Sequence, residues 1–179
     1  MKLKKQSTTI MVVAFIGHRN VENAEVLQEK LTDVIATLIE KENADTFLFG
    51  SRSAFNNLCY EIVSKLKETY TNIKRIYVRA TYEFINKEYL DYLLTFYDET
   101  FFPDKVRGAG KLSYVVRYQI MVGMCDVLVI YYNSNYKLFK MKTGTMLDAL
   151  NAHKHNKSGT NLVMQYAQRK HKLIINVFE

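Results

Sequence analysis

Thr9-Ile10-Met11-Val12-Val13-Ala14-Phe15-Ile16-Gly17-His18-Arg19-Asn20 decides the reading of the fold. Residues 10–16 form an unbroken apolar run rich in Val, Ile and Phe. A run with no polar alternation suits a strand buried on both faces, as in a parallel sheet. Gly17 ends the run, and a residue without Cβ lets the backbone turn sharply or approach a ligand closely. His18 and Arg19 follow where the chain leaves the sheet. Ligands of open α/β sheets bind beyond the carboxyl ends of the strands, so this strand is expected to deliver a Gly-His-Arg group to an anion site.

The same theme recurs further on. A helix is expected over about 22–42, capped by Asn20 or Asn23, with Leu27, Leu31, Val34, Ile35, Leu38 and Ile39 at helical spacing. A strand at 46–49 closes on Gly50-Ser51-Arg52-Ser53, and a helix follows whose inner stripe includes Phe55, Cys59, Ile62 and Val63. A third strand is expected over 74–78, leaving at Arg79. Residues 86–96, crowded with Tyr and Leu, read as a helix, core or dimer face, and 98–103 as a short extended piece. A helix over about 112–124 carries Arg117, and Asp126-Val127-Leu128-Val129-Ile130-Tyr131-Tyr132 is a second buried strand. Ser158-Gly159-Thr160 opens a last helix, and a last strand begins at Leu173. Strands alternating with helices predict a single three-layer α/β domain, Rossmann-like, with a mostly parallel five-stranded sheet.

Composition narrows the function classes. A chain of 179 residues with one Pro and seven Gly is one globular domain by default. No apolar run approaches the ~20 residues that span a bilayer. The basic start Met-Lys-Leu-Lys-Lys-Gln-Ser precedes an apolar run too short for a convincing signal peptide, so a cytoplasmic protein with no membrane partner is expected. Cys59 and Cys125 sit far apart within apolar patterns and read as buried thiols. His153 and His155 are two apart and would not share a helix face. No metal and no cofactor is expected. The net charge of +7 permits nucleic acid or a phosphorylated small molecule as partner, but the lysines are scattered rather than striped.

Placed at one sheet edge, the strand exits assemble Gly17, His18, Arg19, Gly50, Ser51 and Arg52. The helix-borne Arg117 and the helix-opening Ser158, Gly159 and Thr160 join them. Unpaired N–H groups and hydroxyls at a helix start suit phosphate, and arginine supplies forked donors that match its oxygens. Tyr131 or Tyr132 could stack a base there.

These segments resemble a family. Phe15-Ile16-Gly17-His18-Arg19 is similar to the strand-one signature of the SLOG superfamily. Gly50-Ser51-Arg52-Ser53-Ala54-Phe55-Asn56 resembles its second glycine turn, although Gly and Asp are more usual there than Ser51 and Asn56. Tyr97-Asp98-Glu99 with Pro103 resembles the middle segment. Val116-Arg117-Tyr118 through Cys125-Asp126-Val127 resembles the arginine-bearing helix and next strand. Ser158-Gly159-Thr160 with Tyr166-Ala167, Lys170 and Ile174-Ile175-Asn176 resembles the closing phosphate loop, helix and strand. The superfamily includes the Lonely Guy phosphoribohydrolases and the DNA-processing protein A group, and the likeness is to its small bacterial proteins of unassigned function.

The resemblance implies a nucleotide-binding or nucleotide-sensing protein without catalysis, and a homodimer. Ser158, Gly159 and Thr160 would hold phosphate, Arg19, Arg52 and Arg117 would supply charge, Gly17 and Gly50 would admit it, and His18 would touch ribose or phosphate. Residues 133–157 depart from the pattern as an insertion. Within it, Thr143-Gly144-Thr145-Met146-Leu147-Asp148 mimics the enzymes' phosphate-loop motif, with Asp in place of Glu. The alternative is therefore a phosphoribohydrolase acting on a nucleoside monophosphate, with Glu99 or Asp148 as its acid. A third reading is single-stranded DNA binding, which would need a basic groove tracking several nucleotides.

Overall fold

The computed structural model describes residues 10–135 and 159–178. Six parallel strands form one sheet in the order β4-β3-β2-β1-β5-β6. In chain order they are β1 (Met11–Gly17), β2 (Ala44–Phe49), β3 (Lys74–Val78), β4 (Glu99–Phe101), β5 (Val127–Tyr131) and β6 (Leu173–Asn176). The described helices are α1 (Ala24–Glu42), α2 (Ala54–Lys67), α3 (Lys87–Leu94), α4 (Ser113–Met124) and α5 (Gly159–Arg169). The expected α/β architecture holds, with six strands where five were expected. The added strand is β4, the piece read as extended from the sequence. Three residues carry no readable period. They become a strand because the open edge of β3 takes up their backbone groups.

The apolar run over 10–16 supplies β1, at the centre of the sheet. Val13, Ala14, Phe15 and Ile16 are each fully buried, as a strand covered on both faces must be. Alternation sends Val13 and Phe15 toward α1 and α2, and Ala14 and Ile16 toward α4 and α5. Phe15 lies between Phe47 and Phe49 of β2, at centroid distances of 5.9 and 5.2 Å. Burying one such ring contributes roughly 2–3 kcal/mol.

Helix α1 packs through Leu27, Leu31, Ile35, Leu38 and Ile39. It ends at Asn43, whose left-handed φ of 58° lets its N–H reach the Leu38 carbonyl. Asn23 does precede α1, as expected, but its side chain makes no cap bond. At α2, by contrast, Ser53 is a working cap: its Oγ accepts the Asn56 N–H at 3.3 Å. Cys59 and Cys125 are both buried free thiols, and burial pushes the Cys125 thiol up to about 11. None of the described helices is long and apolar enough to cross a membrane.

From β1 to β4 the chain winds outward in one direction, then returns past β1 to β5 on the other side. That reversal makes a topological switch point beside β1, and a crevice opens beyond the carboxyl ends there.

Candidate functional site at the carboxyl edge

A cleft of about 570 Å³ lies over the carboxyl ends of β1, β2 and β3. Gly17 and Arg19 border it from β1, and Gly50, Ser51 and Arg52 from β2. Arg117 reaches it from α4, flanked by Tyr114 and Tyr118, and Tyr77 comes from β3. Three arginines thus line one cavity, and among its described lining residues there is no carboxylate.

Arg117 is the central group. Its residue surface is only 1% exposed, yet neither Nε nor Nη2 has a hydrogen-bond partner among the described residues. The guanidinium lies over the Tyr118 ring at 4.3 Å and near Tyr114 at 5.3 Å. Cation–π contact offsets part of the desolvation but satisfies no N–H. Burial pushes the guanidinium down from its ordinary value, although arginine keeps its charge in proteins. A buried cation with open donors is costly, by several kcal/mol, until an anion meets it.

Two close approaches explain the glycines. A Cβ on Gly17 would fall 2.4 Å from Phe55 Cδ1 in the first turn of α2. One on Gly50 would fall 2.8 Å from Arg117 Nε and 2.7 Å from Met121 Sδ. The first glycine lets α2 seat against the β1 exit, and the second makes room for the buried guanidinium. The Arg19 carbonyl accepts the Ala54 N–H at 2.9 Å, tying the two exits together. With that bond and the Ser53 cap, two N–H groups at the start of α2 are already partnered. The charge of the cleft therefore comes mainly from side chains.

Arg52 is exposed and faces two ways. It lines the cleft, while its guanidinium stands 5.7 Å from the Tyr92 centroid. A hydrogen bond with Tyr92 raises its pKa further. Arg19 is also exposed. Ser51 Oγ donates to Ser53 Oγ at 3.2 Å and so holds the turn.

Of the residues singled out from the sequence, Gly17, Arg19, Gly50, Ser51, Arg52 and Arg117 do meet around one cavity. His18 does not line it. The ring is 2% exposed and packs near Tyr131 and Tyr132, with Nε2 3.0 Å from the Asn133 N–H. Burial lowers its pKa against the Asn133 hydrogen bond that raises it, and Nε2, also 3.2 Å from the Asn133 carbonyl, braces the β5 exit. Gly159 and Thr160 open α5, beyond β5, and are not among the described lining residues. Ser158, Asp148, His153, His155 and the rest of 136–157 lie outside the described residues. Glu99 stands at the other edge of the sheet, 3.0 Å from Lys74 Nζ, and is not positioned to act in this cleft. Arg79 is turned aside, with Nη1 donating to the Tyr82 carbonyl at 2.6 Å.

The sequence reading passed over Tyr77, Tyr114 and Tyr118. Tyr131 and Tyr132, named instead as stacking candidates, finish β5. Tyr131 is buried and its hydroxyl accepts the Glu22 N–H, while the Tyr132 N–H donates to Asn176. A usable signal did exist: Tyr114 and Tyr118 stand three before and one after Arg117 on a helix.

Fold and site together define a doubly wound α/β protein with a cationic cleft at the carboxyl edge of its sheet. No protein-family model matches the chain, and no curated protein matches it in sequence.

Proposed function

We propose that the protein binds a nucleotide or nucleotide-derived phosphorylated ligand in the carboxyl-edge cleft, as a binding or sensing protein of the SLOG type. The observation that carries this reading is Arg117: a buried guanidinium with open N–H donors lining a cavity that Arg19 and Arg52 also border. Phosphate oxygens match such forks and supply the missing charge. The close approach at Gly50 supports the same reading, because a Cβ there would fall 2.8 Å from Arg117 Nε, and its absence lets the guanidinium lie beside the β2 exit.

Glycosidic hydrolysis calls for a carboxylate near the reacting centre. The described lining offers none, and Glu99 is engaged at the opposite edge. Among the described residues this favours binding over phosphoribohydrolase chemistry; Asp148, the other acid named from the sequence, lies outside them. The arginines gather in one pocket rather than along a groove, which favours a small ligand over a nucleic-acid strand.

Isothermal titration with AMP, ADP-ribose and inorganic pyrophosphate tests the reading. At least one should bind, and Arg19→Ala and Arg52→Ala should each weaken it roughly tenfold, the worth of a charge-assisted hydrogen bond. Glu99→Gln should leave binding unchanged. Unaltered affinity in both arginine variants would remove the cleft as the site.

A further inference from the structure

A second cavity, of about 240 Å³, adjoins the arginine cleft and shares Arg52 with it. It lies between α2 and α3 and has aromatic walls. Tyr60 comes from α2, Tyr92 from α3, and Phe96 and Tyr97 from the chain that follows α3. Tyr60 is held in place, its hydroxyl donating to the Phe96 carbonyl at 3.0 Å. Tyr97 is held too: it stacks on Tyr77 at 5.0 Å and 25°, and Tyr77 lines the arginine cleft. The Tyr77–Tyr97 pair is thus a wall common to both cavities. Tyr92 and Phe96 are 43% and 40% exposed; Tyr92 stacks on Tyr89 and takes Arg52 on its ring, and Phe96 meets it edge to face at 5.3 Å.

The polar groups of this second cavity are few and of a particular kind. Asn57 and Glu61 stand one turn apart on the exposed face of α2, so both project to the same side. An amide offers one donor and one acceptor arrangement, which matches the amine and ring nitrogen of adenine. A carboxylate only accepts, so it favours an exocyclic amine and repels a keto oxygen. A cationic ligand would also like aromatic rings, but Arg52 already stands over Tyr92 and repels it. A neutral planar heterocycle satisfies rings, amide and carboxylate together.

We infer that the aromatic cavity between α2 and α3 is the nucleobase subsite, selecting bases with an exocyclic amine, of the ligand whose phosphate enters the arginine cleft; this rests on the phosphate reading of that cleft. Phe96, which Tyr92 meets edge to face, stacks the base. Glu61 accepts from its amine and Asn57 reads the neighbouring ring nitrogen.

Titration of four probes decides it: inorganic phosphate, ribose 5-phosphate, AMP, and purine riboside 5′-monophosphate, which lacks only the amine. AMP should bind at least about tenfold more tightly than ribose 5-phosphate, the increment expected of base–aromatic stacking. AMP should also exceed purine riboside monophosphate by roughly fivefold, the worth of one partly exposed hydrogen bond to a charged group. Glu61→Gln should erase that second gap. Phe96→Ala should lower AMP affinity several-fold and leave ribose 5-phosphate unchanged. Glu61 is exposed, so its variant should fold even if Phe96→Ala does not. If AMP and ribose 5-phosphate bind equally, or if AMP discrimination survives in both variants, the base lies elsewhere and the subsite is wrong while the phosphate cleft stands. If all four probes fail to bind, the phosphate reading falls and the subsite falls with it.

Discussion

The two edges of the sheet treat charge in opposite ways. At the amino edge, where β3 and β4 begin, cations meet carboxylates. Asp98 accepts from the Arg75 N–H at 2.8 Å and from Arg75 Nε at 3.2 Å, and Lys67 Nζ stands 3.2 Å away. Glu99 pairs with Lys74, and the Asp126 carboxylate accepts the Val12 N–H at 2.8 Å. At the carboxyl edge, Arg19, Arg52 and Arg117 share a cleft with no acid among its described lining residues. The amino rim has its charges satisfied within the chain; on the carboxyl side Arg107 and Glu83 pair at 2.6 Å, but the arginine cleft leaves Arg117 with open donors. A fold selected only for stability would avoid a buried cation with free donors, because desolvation without compensation is costly. The open rim is where a ligand can supply what the chain withholds.

The largest effect should come from closing that difference at Arg117. Replacement by Met keeps the length and apolar stem while removing the charge from its place beside Met121 and Tyr118. Thermal unfolding of the ligand-free Arg117→Met protein should show an equal or higher Tm. Affinity for AMP should fall by about 100-fold, or ~3 kcal/mol. A sharp fall in Tm with intact AMP affinity would break the contrast between the rims.

Next in size is Gly17→Ala. The added methyl meets the buried Phe55 ring at 2.4 Å and must displace the start of α2, costing about 1–3 kcal/mol. Gly159→Ala, where no described residue lies within 4 Å of the added Cβ, is the control. Urea unfolding of the two variants should separate them. Equal stabilities would mean that the β1 exit and α2 do not touch as described.

A smaller effect belongs to the amino edge. Partial burial pushes the Asp98 carboxyl up, but the hydrogen bonds from Arg75 and Lys67 outweigh it and hold the group below the ordinary 3.8. A carboxylate depressed on folding adds stability above its unfolded pKa, and the contribution fades as pH falls through the folded value. Asp98→Asn should therefore cost about 1 kcal/mol at pH 7 and progressively less below pH 3.8, read from unfolding curves along an acid series. AMP binding should not change. A weaker AMP complex in this variant would couple the two edges and blur the comparison.

Much of this was open to inspection before any coordinates. The apolar run at 10–16 declares a strand buried on both sides, because no residue in it can face water comfortably. Leu27, Leu31, Ile35 and Leu38 declare α1 by their period, as Phe55, Cys59, Ile62 and Val63 declare α2. Gly50 and Arg52 announce a basic turn. Elements without a period stayed hidden. β4 is three residues long and exists because β3 had an unpaired edge. Glu99 could not be placed at either edge from its neighbours in the chain. His18 shares its tripeptide with two cleft residues, yet its ring turns toward β5, since side-chain direction at a strand exit depends on what packs there.

The chain on its own determined the layered α/β class, the central strand and the stock of glycines and arginines from which the site is made. Tertiary structure decided which of them meet. Arg117 was already a candidate in the sequence; its burial and its place against Gly50 come from the packing of α4 on the sheet. Periodicity is a local property, written in neighbouring residues, whereas a shared cavity depends on the order in which strands are laid beside one another.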